Sequence, residues 1–229
     1  AVVDENTIGV TDVHPIPVNF VTGQIRSVLD DIGTDAIKIG MLHSSELIMG
    51  IKNTLMQYDI KNIVLDPVMV ATSGDKLLQD DAISTLKNEL IPFVRVITPN
   101  IPEAEILLGK KIKSQQDLPM MIRELSANHK VSVLLKAGHL TEEKLTDVFY
   151  NAEADEILEL TSVRVFTVNT HGTGCTFSSA IAAYLARGLS LNDAVKEAKE
   201  YMKSAILEGA KYDIGKGHGP VHHFFKFWE

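Results

Sequence analysis

Residues 62–100 read NIVLDPVMVATSGDKLLQDDAISTLKNELIPFVRVITPN, and this stretch decides the fold. It opens with Ile63-Val64-Leu65, apolar at every position and ending in Asp66-Pro67. A short run of that kind is the pattern of a strand buried on both faces. Ile83, Leu86 and Leu90 then recur at helical spacing until Pro92 closes the period, and a second apolar run starts at Val94. Strand, helix, strand is the unit from which a parallel sheet is built.

The same rhythm extends to both sides. Residues 36–41 and 131–138 read as two further buried strands, short, rich in Val and Ile and bounded by polar residues or Gly. Val18, Val21, Ile25, Val28, Leu29 and Ile32 share one helical face; so do Leu47, Ile48, Ile51, Leu55 and Met56, and again Leu118, Ile122 and Leu125. After Gly138 the rhythm changes. Residues 145–150 and 156–166 flank Asn-Ala-Glu-Ala-Asp and read as an antiparallel hairpin at the sheet edge. Two helices, 174–187 and 192–208, close the pattern, with Gly188 where a C-cap is expected. The expectation is one α/β domain over residues 1–229: a mostly parallel central sheet, helices on both faces and an antiparallel edge hairpin. No internal repeat, low-complexity tract or linker interrupts it.

Composition narrows the function classes. Of 229 residues, 45% are apolar and 23% charged, ample to build a core and too apolar for a disordered chain. Lys plus Arg number 22 against 30 Asp plus Glu, a net charge of −8. That balance argues against nucleic acid as a partner, since a phosphate backbone needs a basic face. It leaves room for a small anionic ligand at one helix end. Cys175 is the single cysteine, which excludes an internal disulfide framework and favours a reducing compartment. No apolar run approaches the roughly 18 residues of a membrane span. The opening Ala1-Val2-Val3-Asp4-Glu5 has neither the basic nor the apolar region of a secretion signal, and it lacks Met, so a preceding segment is expected.

In an open parallel sheet, ligands bind beyond the carboxyl ends of the strands. The polar residues there are Asp66, Asn100 with Glu103, and Lys136 with Gly138 and His139. Two carboxylates, an amide and a lysine on one rim suit a magnesium–polyphosphate ligand. Hard oxygens hold Mg²⁺ through water, and lysine balances phosphate. Each also has an ordinary explanation: Asp66 as a turn residue, Glu103 as an acid in a first helical turn.

The strongest local signal is Asn169-Thr170-His171-Gly172-Thr173-Gly174-Cys175-Thr176. It follows a β-rich run and precedes a plainly helical one. Two glycines at such a junction let successive amides converge, and the positive helix end adds to them, making an anion site. Cys175 falls in the first helical turn, where a thiolate is stabilised. It could accept a proton from an attacking hydroxyl, or orient it. The spacing is not that of a Walker A loop. Gly74, in Ala-Thr-Ser-Gly-Asp-Lys after the Asp66 strand, reads as a lid or an ordinary surface turn. The tail from Gly215 carries His218, His222 and His223 without a zinc-ligand spacing. It is expected to pack beside the nucleotide site, with Phe224, Phe225, Phe227 and Trp228 in a core or interface.

Several of these motifs together resemble the hydroxymethylpyrimidine/phosphomethylpyrimidine kinases of thiamine biosynthesis, in the ribokinase-like superfamily. The resemblance rests on Val64 to Gly74, Lys38-Ile39-Gly40-Met41-Leu42, Thr98-Pro99-Asn100-Ile101-Pro102-Glu103-Ala104, Lys136-Ala137-Gly138-His139, Thr170 to Cys175 and Gly217-His218-Gly219-Pro220-Val221. It implies a kinase that uses ATP and Mg²⁺ to phosphorylate the hydroxymethyl group of 4-amino-5-hydroxymethyl-2-methylpyrimidine, then the resulting monophosphate. It further implies that Asn100 and Glu103 organise metal and phosphate, with Asp66 joining Glu103 at the Mg²⁺ through water. Lys136, Thr170 and His171 would lie at the ATP phosphates, and Gly172, Thr173, Gly174 and Cys175 would form the anion hole and proton acceptor. Glu5, Met41 and Val68 would face the pyrimidine. Family members are cytoplasmic homodimers, so the same is expected here.

Two departures qualify the likeness. The family carries about forty further residues at its start, the size of one β-α unit, including a Gly/Ser-rich loop and a substrate-binding aspartate. Residues 1–229 are therefore expected to be N-terminally incomplete, with a gap in the sheet and impaired activity. The family's pyrimidine-binding glutamine is replaced by Glu5, which accepts hydrogen bonds from an amino group but cannot donate one. Two alternatives stay open on these grounds: a pyridoxal or pyridoxine kinase, and a non-catalytic ligand-binding member. A related pyridoxal-phosphorylating subgroup has a second cysteine where Ala71 stands, which speaks against that subtype.

Overall fold

The structure, a computed structural model, describes residues 1–69, 78 and 80–228. The Gly74 loop and Ala71 lie outside the described residues. The strands are β1 (Val2–Glu5), β2 (Val10–His14), β3 (Ile37–Ile39), β4 (Ile63–Leu65), β5 (Val96–Ile97), β6 (Ser132–Leu135), β7 (Lys144–Asn151) and β8 (Glu156–Val163). The α-helices are α1 (Val18–Asp31), α2 (Ser45–Leu55), α3 (Asp80–Thr85), α4 (Ile101–Leu108), α5 (Leu118–His129), α6 (Thr173–Ala186) and α7 (Leu191–Gly209).

β3 to β8 lie side by side in sequence order. β3 to β6 run parallel, and β7 and β8 close one edge antiparallel. The α/β expectation with its edge hairpin holds. One expectation does not: the ladder is uninterrupted, with β3 at its other edge, so the sheet has no internal gap. β1 and β2 form a separate two-stranded ladder that the sequence reading left unassigned.

The period of two decides the layers. Ile63, Leu65, Ile97, Val133 and Leu135 face one core, which α2, α4 and α5 cover with Ile48, Leu55, Leu107, Ile122 and Leu125. Val64, Val96, Leu134 and Phe149 face the other, filled by Phe177, Ile181 and Leu185 of α6 and Val195, Ala198 and Met202 of α7. Burial on both faces is why these strands read as unbroken apolar runs.

Local signals set the helix ends. The Ser44 hydroxyl accepts from the Leu47 amide at the start of α2. Asn100 and Glu103 form a reciprocal capping box on α4, and Gly109 ends that helix at φ 67. Gly188 follows α6 in the left-handed region, as expected for a C-cap glycine.

Other expectations are corrected. The helix approaching Pro92 is not regular: α3 passes into a π turn over Leu86–Leu90 and a 3-10 turn over Ile91–Phe93, since Pro92 has no amide to continue the ladder. Ile32, expected on the buried face of α1, is 78% exposed beyond the helix end. For the tail aromatics, expected in a core or interface, only the core part is decided: Phe225 packs partly on the second core, and Phe224, Phe227 and Trp228 are exposed on the surface of the chain. Phe224 and Trp228 stack on each other at 5.8 Å instead. No helix of the described residues is long and apolar enough to cross a membrane.

Phe149 is fully buried in the second core. Phe149→Ala is expected to lower the unfolding free energy by about 3–5 kcal/mol in a urea titration, through lost transfer energy plus the cavity left behind. A loss below about 1 kcal/mol would mean that this layer closes around the gap and is not the close-packed core described.

Candidate active site

The carboxyl ends of β4, β5 and β6 converge with the start of α6 on one carboxylate. Asp66 is 2% exposed. Its Oδ1 accepts from Lys136 Nζ at 2.9 Å and from Thr98 Oγ1 at 3.1 Å, while Ser178 Oγ on α6 lies 3.4 Å from Oδ2. An isolated parallel bridge between Asn100 and Lys136 brings the two rim segments into register. The Lys136 amide donates to the Pro99 carbonyl at 3.0 Å.

Charge and burial are balanced within this cluster. Burial acts to lower the Lys136 pKa, but the negative groups around it, Asp66 first and then Glu103, outweigh that and hold the ammonium above its ordinary value. Burial pushes the Glu103 carboxyl up to about 7, against the pull of Lys136 and the amides of Asn100 and Met69. His139 is pushed below its ordinary value by burial and then by the Lys136 charge, so its imidazole stays neutral.

The glycine-rich turn faces this rim. α6 starts at Thr173 with Gly172 as N-cap, at φ 81 in the left-handed region. The Thr176 amide is the first to close onto the helix, donating to the Gly172 carbonyl at 2.8 Å; the amides of Gly174 and Cys175 find no acceptor among the described residues. Gly174 sits against the ion pair: a Cβ there would stand 3.2 Å from Lys136 Nζ and 3.5 Å from Asp66 Oδ2. Cys175 is exposed and lines a cavity of about 440 Å³ with Thr176, Tyr184, Arg187, Tyr201 and His223. The arrangement offers two outward amides, a helix N-terminus, an ammonium and two carboxylates around one point, with a thiol at its edge. That is the equipment for binding and transferring a phosphoryl group.

The structure brings Asp66, Asn100, Glu103, Lys136 and the Gly172-Thr173-Gly174-Cys175 turn together. Thr170 and His171 lead into that turn, the Thr170 carbonyl accepting from the Thr173 amide at 3.3 Å. His171 Nδ1 lies 3.9 Å from Glu5 Oε1, which places β1 beside the anion turn. Met41 and Val68 are half-buried, each just past a strand end on the same rim. The tail lies alongside, as expected: the Gly219 carbonyl accepts from the His171 amide, and His223 hydrogen-bonds Thr176 at 2.9 Å.

Sequence reasoning missed three supports. Thr98 hydrogen-bonds Asp66, and Ser178 stands 3.4 Å from its other oxygen while its hydroxyl also has the Gly174 and Cys175 carbonyls at 3.0 Å. Asn169, 3% exposed, donates through Nδ2 to the carbonyls of Gly209 at 2.8 Å and Tyr212 at 2.7 Å, tying the turn to the end of α7. Asn169 opens the glycine-rich motif and Thr98 stands two residues before Asn100, but neither position signals these hydrogen bonds.

The phosphomethylpyrimidine kinase family model matches residues 1–222. The chain belongs to this family. It is 42% identical over its whole length to the hydroxymethylpyrimidine/phosphomethylpyrimidine kinase of Escherichia coli K12, and spans 85% of that relative. Among solved structures it resembles the phosphomethylpyrimidine kinase of Clostridium difficile 630, with TM-score 0.73 and 37% identity, covering 89% of this chain and 83% of that one. It also resembles the Bacillus subtilis pyridoxal kinase solved with ADP, with TM-score 0.85 and 34% identity, covering 98% and 83%. The fold is thus that of the ribokinase-like kinases, and a phosphomethylpyrimidine kinase family member carrying this site is a phosphotransferase.

Glu103 gives the site a pH signature. Its folded-state pKa of about 7 stands above the ordinary 4.5, so between those values the folded chain holds a proton that the unfolded chain has released. Stability therefore falls as pH rises through that window. Glu103→Gln keeps the capping acceptor and removes the titration. It is expected to match the parent near pH 5 and to exceed it at pH 8 by about 2–3 kcal/mol in denaturant unfolding. Equal slopes in both proteins would remove Glu103 as the source.

Proposed function

We propose that the chain transfers the γ-phosphoryl group of ATP to the hydroxymethyl oxygen of 4-amino-5-hydroxymethyl-2-methylpyrimidine, and then phosphorylates the monophosphate, as a step of thiamine biosynthesis. The observation that supports it most is the contact of Gly174 with the Lys136–Asp66 pair. It sets the outward amides of α6 beside the ammonium that would balance the nucleotide phosphates.

The proposed roles are these. The amides of Gly174 and Cys175 and the α6 N-terminus stabilise charge on the phosphoryl group in flight, and Lys136 holds the phosphates behind it. The new bond forms between substrate oxygen and phosphorus as the bond to ADP breaks. Cys175 stands where the hydroxyl proton leaves, as its acceptor or its orienting partner. Asp66 and Glu103 are hard oxygen donors on the phosphate side. No group of three or more His, Cys, Asp or Glu among the described residues could hold a metal. Two carboxylates without a full cage fit Mg²⁺ held through water and phosphate oxygens. When bound there, Mg²⁺ neutralises charge on the phosphates. Thr170 and His171 lead the chain into the anion site. Met41 and Val68 line the ring pocket, and Glu5 accepts from the 4-amino group.

With this reading go a single kinase domain, a homodimer and a cytoplasmic setting, where an exposed lone thiol stays reduced. The second reading, a pyridoxal-type alcohol as substrate, is favoured by the likeness to the pyridoxal kinase of Bacillus subtilis and by Glu5 in place of a residue that can donate. Parallel assays of ADP release with the two alcohols decide between them; a protein that binds either in calorimetry without forming product would be a binding member only. For the leading reading, Cys175→Ala is expected to lower kcat about 10²-fold or more while the Kd for AMP-PCP moves by less than about threefold. Unchanged kcat would take Cys175 out of the mechanism.

A further inference from the structure

The pairing of β6 with β7 stops at Leu135 opposite Val148. Beyond that point the Lys136 amide turns to the Pro99 carbonyl on the other side. The next amide, that of Ala137, loses its ladder partner, and a side chain takes it. Oδ1 of Asp147, the residue beside Val148, accepts from the Ala137 amide at 2.7 Å. Its other oxygen, Oδ2, accepts from Lys199 Nζ at 2.7 Å. Lys199 stands on α7, in the layer behind the sheet.

This pair is buried. The Asp147 and Lys199 side chains are 7% and 14% exposed, and Ala137 is fully enclosed. Two charges withdrawn from water are a poor way to hold a scaffold together, since apolar side chains of similar volume serve as well or better. The phosphoryl-transfer roles above use neither residue. What the pair does hold is the backbone immediately after Lys136, by a short charge-assisted hydrogen bond whose acceptor is itself fixed from behind.

We propose that Asp147 is a positioning residue for Lys136, with Lys199 as the counter-charge that fixes the carboxylate's orientation. The inference rests on the reading of Lys136 as a phosphate-binding residue. Lys136 Nζ lies about 6 Å from its own Cα, so a backbone swing of about 10° moves it by about 1 Å. A misplacement of about 1 Å caused from outside a reacting site can lower rate about 100-fold.

The test is a double-mutant cycle between Asp147→Ala and Lys136→Met in the purified enzyme, run below the melting temperature of every variant. It reads kcat and the KM values for MgATP and for the pyrimidine alcohol, with AMP-PCP affinity by calorimetry. Asp147→Ala is expected to lower kcat/KM for MgATP about 30-fold or more, to leave KM for the alcohol within about twofold, and to lose nearly all of that effect in the Lys136→Met background. Asp147→Asn, which keeps an oxygen for the Ala137 amide, and Lys199→Met, which keeps it but frees it to rotate, are expected to lose less, about three- to tenfold. If Asp147→Ala lowers only the melting temperature, or its kinetic loss persists undiminished without Lys136, the positioning role is overturned. If Lys136→Met itself leaves AMP-PCP affinity and kcat unchanged, the phosphate-binding reading of Lys136 falls first and the inference goes with it. Should Asp147→Ala not fold, Asp147→Asn and Lys199→Met carry the same cycle.

Discussion

The ion pair between Asp66 and Lys136 is the contact on which the rest of the site depends. A carboxylate that is 2% exposed is untenable without partners, and this one has partners from three directions. Thr98 reaches it from the end of β5, Lys136 from the end of β6 and Ser178 from α6. Each partner is held by a different element, so satisfying one carboxylate fixes where two strand ends stop and where the helix begins. Removing one member of such a pair costs about 3–5 kcal/mol because the other is left buried and alone. Replacing the whole pair by apolar side chains of the same size carries no such penalty. The proposed phosphate ligand gives these charges a reason to be kept, and the cluster sits where an open parallel sheet presents its strand ends.

The sheet was legible because its strands are sealed on both faces. Ile63-Val64-Leu65 has no polar position to lose, and neither do β5 or the centre of β6, whereas the edge strand β3 carries a half-buried Lys38 between two isoleucines. β1 and β2 lacked that signal. Their residues are exposed or half-buried, with Val2 at 60%, and they pair with each other away from the main sheet. Ile32 failed for a related reason. An apolar side chain need not be a buried one, since apolar atoms make up more than half of an ordinary protein surface. The irregular turns before Pro92 stand next to a missing amide, which the sequence announces, but the widened turn over Leu86–Leu90 is not legible from it.

In the site, the legible residues were those at strand ends and helix starts, where position alone places them at the rim that an open parallel sheet offers to a ligand. Asp66, Asn100, Glu103, Lys136 and the Gly172–Cys175 turn are of this kind. The supports were not legible, because their partners are remote in sequence. Ser178 lies 112 residues from Asp66, Asn169 some 40 from the carbonyls it caps, and Lys199 is 52 from Asp147. A buried Thr, Ser or Asn in a sequence is indistinguishable from a surface one until the chain is folded. Such residues are specified by the hydrogen-bond vacancy they fill, and that vacancy exists only in three dimensions.

Asn100 and Glu103 show why the ordinary and the functional explanations need not compete. Each satisfies an amide of the other, Asn100 Oδ1 accepting from the Glu103 amide at 2.9 Å and Glu103 Oε2 from the Asn100 amide at 2.8 Å. A capping interaction of this kind contributes about 1 kcal/mol. Glutamine at the same position would cap equally well and would carry no charge to bury. Glutamate, 3% exposed and facing Lys136 and Asp66, is a costlier choice for a helix end at neutral pH. The cap therefore explains the spacing of the two residues but not the carboxylate. On the proposed function the carboxylate answers to what lies beyond the helix start, where its charge and that of Asp66 would meet a cation and phosphates.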